Sequence, residues 1–364
     1  MRILFVTRKY PPSTGGMEVY SHELFQALST HNPQTTLYRP APPIMGRPSG
    51  WQLLCFFLGA SRFLYAHREQ ADVVLLGDVL LSPLALLVKI ISGARIRVVV
   101  AAHGNDVYFA HKSSLAACIY RWAIRFFRHR VDMVIANSSD TEATARKLGF
   151  DRTTKVLLGT RMPNIDPVAS EDTIDAILFA GRLIHCKGLA WFIEEVMPRV
   201  HPDMQLLVAG PKWDASEMSA VRSNSRATYL GTLSRSELDR LRSRVVVAVM
   251  PNLPASMSGQ NEGFGLSALE SPAVGTPVVV SGLGGLIEAV VEGGTGFVVP
   301  PLDAAAFAEK INTIRAWTSA QRATFSCGAK ATIAQQFSWD RVAKEYLSHL
   351  AAMTARPVQA GGDA

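Results

Sequence analysis

Short runs of consecutive apolar residues recur along the chain, and most lead into a polar or glycine-bearing loop and then residues at helical spacing. Ile3-Leu4-Phe5-Val6 is the first run, and residues 17–28 carry the first helical spacing. Residues 72–76, 97–102 and 131–136 read as further strands, with helices over 80–91 and 115–130 between them. Ser139-Asp140-Thr141-Glu142 fits a capping box that opens a helix ending near Gly149. The pattern restarts with strands at 176–180, 205–209 and 245–250, a helix from Leu189 to about Val196, and a strand from Val278. Strands apolar on both faces and alternating with helices predict parallel sheets covered on each side, an α/β fold. Residues 159–173, with Pro163, Asn164 and Pro167, show little periodicity and read as a linker between two domains.

Candidate chemistry lies in the loops after the strands, where open α/β sheets bind ligands. Gly15-Gly16-Met17-Glu18 follows the first strand, and Gly16 would let backbone approach a ligand closely. His103-Gly104-Asn105-Asp106 follows the strand at 97–102. Gly181-Arg182-Leu183-Ile184-His185-Cys186-Lys187-Gly188 places two cations beside a helix start, which suits an anion. The richest stretch is Glu262-Gly263-Phe264-Gly265-Leu266-Ser267-Ala268-Leu269-Glu270, followed by Gly275-Thr276-Pro277. A loop of low bulk that opens a helix offers free N–H groups at Phe264, Gly265 and Leu266 to a phosphate. The flanking carboxylates Glu262 and Glu270 accept hydrogen bonds from hydroxyls. A phosphate cradle with two hydroxyl readers is what a sugar nucleotide requires. Pro272 removes one helical hydrogen bond and predicts a short or kinked helix under Glu270.

The order and spacing of these loops, from Gly15 to Trp339, resemble the retaining nucleotide-sugar-dependent glycosyltransferases of family 4. The resemblance implies a GT-B fold, two Rossmann-like domains facing across a cleft. It implies an acceptor-binding domain over residues 1–165 and a donor-binding domain over 166–336. A helix over 337–353 would return to the first domain, and the Gly/Ala-rich residues 354–364 read as a disordered tail. By resemblance, Gly16 lies against the donor's phosphate and sugar, His103 contacts the donor sugar, and Arg182 and Lys187 bind the diphosphate. Glu262 would hold a sugar hydroxyl, Glu270 the ribose, and Asp106 the loop or the acceptor. The segment Tyr229-Leu230-Gly231 reads as a loop that brackets the base. The expected reaction needs no cofactor or metal and moves a sugar from a GDP- or UDP-sugar to a glycan or lipid-linked glycan, in cell-surface polysaccharide, lipopolysaccharide or glycolipid synthesis.

The chain has 364 residues and a net charge of +7, unevenly spread: residues 1–165 carry +10 and the remainder −3. The basic half suits an anionic partner. Its helix over 115–130 places Ile119, Trp122 and Phe126 near one face and Arg121, Arg125 and Arg128 on another, as a membrane-surface helix does. Residues 51–65 form a second apolar and aromatic stretch, too short to span a bilayer. The four cysteines are far apart, which argues against a zinc site and a disulfide framework, and Met1-Arg2 leads straight into a strand with no signal peptide. These features predict a cytoplasmic protein peripheral at the inner face of the plasma membrane. A sugar-nucleotide epimerase of the same fold would need more acid–base residues than His103. A non-catalytic basic binding protein leaves Glu262, Glu270 and the Arg182/Lys187 loop unexplained, and no nucleic-acid motif is present.

Overall fold

A computed structural model describes residues 1–13, 15–42, 48–165, 173–260 and 262–354. Part of the expected linker and all of the expected tail beyond Thr354 lie outside these. Contacts divide the chain into two units. One holds Met1–Ala136, Glu142–Val156 and the chain from Asp340; the other holds Asn137–Thr141 and Leu157–Trp339.

The first unit contains β1 (Ile3–Val6), α1 (Gly16–His31), β2 (Thr35–Tyr38), α2 (Gly50–His67), β3 (Val73–Leu76), α3 (Pro83–Ile91) and β4 (Arg97–Ala102). It continues with α4 (Asn105–Tyr108), α5 (Leu115–Phe127), β5 (Met133–Ala136), most of α6 (Ser139–Lys147) and β6 (Thr153–Lys155). Its six strands lie in the order β2-β1-β3-β4-β5-β6, all parallel. The apolar runs read from the sequence are its central strands, and β1, β3 and β5 are buried throughout. One face carries Leu4, Val6, Val74, Leu76, Val98 and Val100 against the inner sides of α2, α3 and α5. Pro83 at the first turn of α3 explains why the helix read from Leu80 starts late, after a short 3-10 turn at Val79–Leu81.

Two helices of this layer depart from a simple buried role. In α2, Ser49 and Gln52 form a capping box, yet Trp51, Leu54 and Leu58 face outward. In α5, Ile119, Trp122 and Phe126 are exposed. The arginines do not share the one outward face read from the sequence. Arg121 donates to the Ala110 carbonyl at 3.2 Å and Arg128 to that of Gly149 at 2.5 Å, and only Arg125 of the three is exposed. The C-terminal helix α14 (Trp339–Thr354) joins the first unit, where buried Tyr346 bonds Tyr20 of α1 at 2.8 Å.

The second unit repeats the plan, with β7 (Ile174–Ala180), α7 (Leu189–Trp191), β8 (Gln205–Ala209), α8 (Ala215–Ser223), β9 (Ala227–Gly231), α9 (Arg235–Arg244) and β10 (Val245–Met250). Then follow α10 (Ala255–Ser258), α11 (Ser267–Ala273), β11 (Val278–Ser281), β12 (Gly296–Val299), α12 (Ala304–Arg315) and α13 (Ser319–Gln336). Its parallel sheet has the order β12-β11-β10-β7-β8-β9. Tyr229-Leu230-Gly231, read as a loop, belongs to the edge strand β9, and the Tyr229 hydroxyl donates to the Gly210 carbonyl at 2.7 Å. The helix expected over 189–196 is one α-helical turn that widens into a π-helical turn at Phe192–Val196. α11 is seven residues long with Pro272 inside it, as the proline predicts. Among the described residues no helix is long and apolar enough to cross a membrane.

Candidate active site

Each sheet has a point where strand order reverses, and the loops from the two strands there open the same crevice. In the second unit the reversal falls between β7 and β10. The loop after β7 carries Arg182 and Lys187; that after β10 carries Asn252 and, beyond α10, Glu262. Lys187 and Glu262, 75 positions apart, meet in an ion pair there. Asn252 donates a second hydrogen bond to the same carboxylate at 3.2 Å. Burial pushes the Glu262 carboxyl up, but Lys187, Asn252 and the more distant Arg182 outweigh it and hold the group below its usual range. Glu262 is therefore ionised at neutral pH.

The backbone fixes this pair. Gly188 sits at φ +70°, and a methyl group there would lie 2.0 Å from the Pro251 carbonyl oxygen, so only glycine lets the two loops touch. Gly265 has φ +87°, and a methyl there would lie 2.4 Å from the Leu286 side chain. Phe264 is buried, and the N–H groups of Phe264, Gly265 and Leu266 donate to no acceptor among the described residues. They precede α11, where the helix dipole favours an anion.

Glu270, three residues into α11, is held by a residue the sequence reading passed over. Arg242, 2% exposed, reaches from the last turn of α9 to Glu270 and to Asp239, the latter at 2.9 Å. One Glu270 oxygen is thereby occupied, and the carboxylate stays partly exposed, with the other available to a hydroxyl. Nothing in the polar run Arg-Ser-Glu-Leu-Asp-Arg-Leu-Arg-Ser-Arg distinguishes Arg242 from its surface neighbours. Arg182 is exposed and its guanidinium lies 5.3 Å from the Trp213 ring, a second residue not singled out from sequence.

In the first unit the reversal falls between β1 and β3. Arg8, just after β1, pairs with fully buried Asp78, just after β3, at 2.8 Å. His103, after β4, bonds the Gly77 carbonyl through Nε2 at 2.8 Å, and its ring meets Tyr20 edge-on at 4.3 Å. A carbonyl only accepts, so Nε2 carries the proton, and Nδ1 of the neutral ring is an acceptor. Asp106 accepts from the N–H groups of His103 at 2.9 Å, Val107 at 3.0 Å and Val79 at 3.4 Å. Burial pushes its carboxyl up, against the pull of His103 and with a push from Asp78. These bonds make Asp106 a brace for the His103 loop. Gly16 begins α1, and a methyl there would meet nothing within 4 Å, so the chain itself does not require glycine at that position. The polar residues right after β1 and β3 were the available signal for Arg8 and Asp78.

Two parallel α/β units, each with its polar loops at the reversal of strand order, define the GT-B architecture. Residues 175–316 match the family model described as glycosyl transferases group 1, and residues 29–159 that of the glycosyl transferase 4-like domain. The chain therefore belongs to the GT-B glycosyltransferases. It is similar to glycogen synthase of Mycobacterium tuberculosis strain H37Rv, 26% identical over 395 residues, covering 94% of this chain and 92% of that protein. Its fold matches sucrose-phosphate synthase from Thermosynechococcus elongatus at a TM-score of 0.72 and 20% identity, over 97% of this chain and 99% of that one. It also matches HepE from Anabaena, solved with UDP-glucose, at a TM-score of 0.71 and 18% identity, over 97% and 100% of the chains.

Proposed function

We propose that this glycosyltransferase moves a hexose from a nucleoside diphosphate sugar to a glycan or lipid-linked glycan, with retention of configuration and without a metal. The observation that carries the reading is the junction of Lys187 and Glu262 at the β7/β10 reversal, beside the N–H groups of Phe264–Leu266, which have no acceptor among the described residues. A diphosphate leaving group gains negative charge as its bond to the sugar's C1 breaks. Lys187, Arg182 and those N–H groups stabilise that charge where it develops. Glu262 accepts from a sugar hydroxyl while Lys187 turns toward the phosphate, and Glu270, held by Arg242, accepts from the ribose. His103 accepts a further sugar hydroxyl at Nδ1.

Retention by double displacement needs a carboxylate nucleophile. Asp106 and Asp78 are committed to bracing bonds, which favours a front-face route. In it the acceptor oxygen bonds to C1 on the side the diphosphate leaves, and the acceptor's proton passes to the departing phosphate oxygen. Glycogen synthase, a relative that covers 94% of this chain, is named for a glycan product, in keeping with a saccharide acceptor. The +10 charge of residues 1–165 favours an acceptor that carries phosphate at a membrane surface, as in polysaccharide, lipopolysaccharide or glycolipid assembly at the cytoplasmic face. A thermal-shift panel of nucleoside diphosphates tests the donor: a ligand at 100 times its Kd stabilises by about 2.7 kcal/mol. Release of free nucleotide that rises only when acceptor is added identifies transfer, and conversion of the sugar with no nucleotide release identifies an epimerase.

A further inference from the structure

We infer that α2, α3 and α5 together form a docking platform for an anionic phospholipid bilayer. The helices lie side by side on one face of the first unit's sheet, with α3 packed against both α2 and α5. Their inner sides are core; their outer sides are not polar. Trp51, Leu54 and Leu58 follow one another at i, i+3 and i+7 on the outer face of α2, with Trp51 71% exposed. Ile119, Trp122 and Phe126 repeat the spacing on α5, with Trp122 66% exposed, and Ile90 of α3 is bare between them. The Trp122 and Phe126 rings stack at 5.5 Å in the open. Side chains with an apolar body and a polar edge, as in Trp51 and Trp122, suit the headgroup boundary.

Charge names the occupant. No aspartate or glutamate occurs in any of the three helices. Glu69, just past α2, is paired with Arg68. Arg62 on α2 and Arg125 on α5 are exposed, and Lys112 and Arg130 flank α5. A second copy docked through the same face would bring like charges together, which a symmetric interface disfavours. An anionic bilayer meets both the apolar stripes and the cations. The inference deepens the reading of a lipid-linked acceptor, and its test runs without donor or acceptor.

The protein is sedimented with phosphatidylglycerol and with phosphatidylcholine vesicles. Binding is expected to the first, to weaken with salt, and to be weak to the second. Arg62→Glu/Arg125→Glu should weaken binding by about tenfold or more, and Leu58→Ser/Trp122→Ser should do likewise. All four side chains point away from the core, and unchanged circular dichroism and melting temperature confirm intact variants. Fluorescence quenching by bromine-labelled lipids should fall in Trp51→Phe and again in Trp122→Phe, because both rings enter the boundary. Equal vesicle binding by wild type and both double variants overturns the proposal. So does a concentration-dependent dimer that the Leu58→Ser/Trp122→Ser variant abolishes, since a second copy would then cover this face. Absence of acceptor-dependent nucleotide release, with vesicle binding intact, would count against the transferase site alone.

Discussion

Lys187→Ala should separate the catalytic role of the Lys187–Glu262 pair from its structural one. Removing the lysine leaves an ionised carboxylate with Asn252 as its remaining side-chain donor. Breaking a fully buried pair on one side costs about 3–5 kcal/mol. These side chains retain 16% and 20% exposure, so the expected cost is about 2–3 kcal/mol, or roughly 4–12 °C in melting temperature. A folded domain survives that loss. Turnover should fall by about 10²–10³, the range for losing a preorganised charge on a developing anion. Lys187→Met/Glu262→Gln removes both charges and keeps the shapes, so it should regain most of the stability and none of the turnover. Denaturant unfolding and steady-state kinetics on the single and double variants close the cycle. Recovery of turnover in the double variant, or near-normal kinetics in Lys187→Ala, would mean that the pair only ties two loops together.

Three further outcomes follow from the same geometry. Arg242→Met frees Glu270 and leaves Asp239 the looser Arg235 contact at 3.9 Å, and should weaken nucleoside diphosphate affinity by about tenfold while nucleobase-free pyrophosphate binds unchanged, read by calorimetry. Glu262 titrates below its usual range, so its contribution to stability is present above the unfolded value of about 4.3 and is lost as pH falls through the folded value; Glu262→Gln should be less stable than wild type at neutral pH and converge on it in acid, measured by urea unfolding at each pH. Activity should persist in EDTA, since charge on the leaving group is met by Arg182, Lys187 and backbone N–H groups; complete loss restored by manganese or magnesium would refute this.

The central strands could be read from the chain because burial on both faces leaves an unbroken apolar signature. Thr35–Tyr38 and Thr153–Lys155 could not, being short edge strands with polar residues. Val73–Leu76 and Val278–Ser281 could, being buried throughout. Local motifs placed Arg182, Lys187, Glu262 and Glu270 in loops or at a helix start, but pairing is a tertiary property. Neither the Lys187–Glu262 junction nor the grip of Arg242 on Glu270 leaves a local trace. The same holds for Arg121 and Arg128, which periodicity grouped with Arg125 on one face of a membrane-surface helix and which backbone carbonyls of Ala110 and Gly149 hold. Exposure of Ile119, Trp122 and Phe126, by contrast, agrees with the sequence reading of a surface helix with an aromatic face.

Calorimetric titration of UDP and GDP into wild type and Lys187→Ala at neutral pH tests most directly whether a nucleoside diphosphate binds at the β7/β10 reversal. Wild type should bind one of the two nucleotides at a single site, and Lys187→Ala, still folded by circular dichroism, should bind it at least tenfold more weakly. Equal affinity in both proteins, or no binding of either nucleotide to the wild type, would contradict the account.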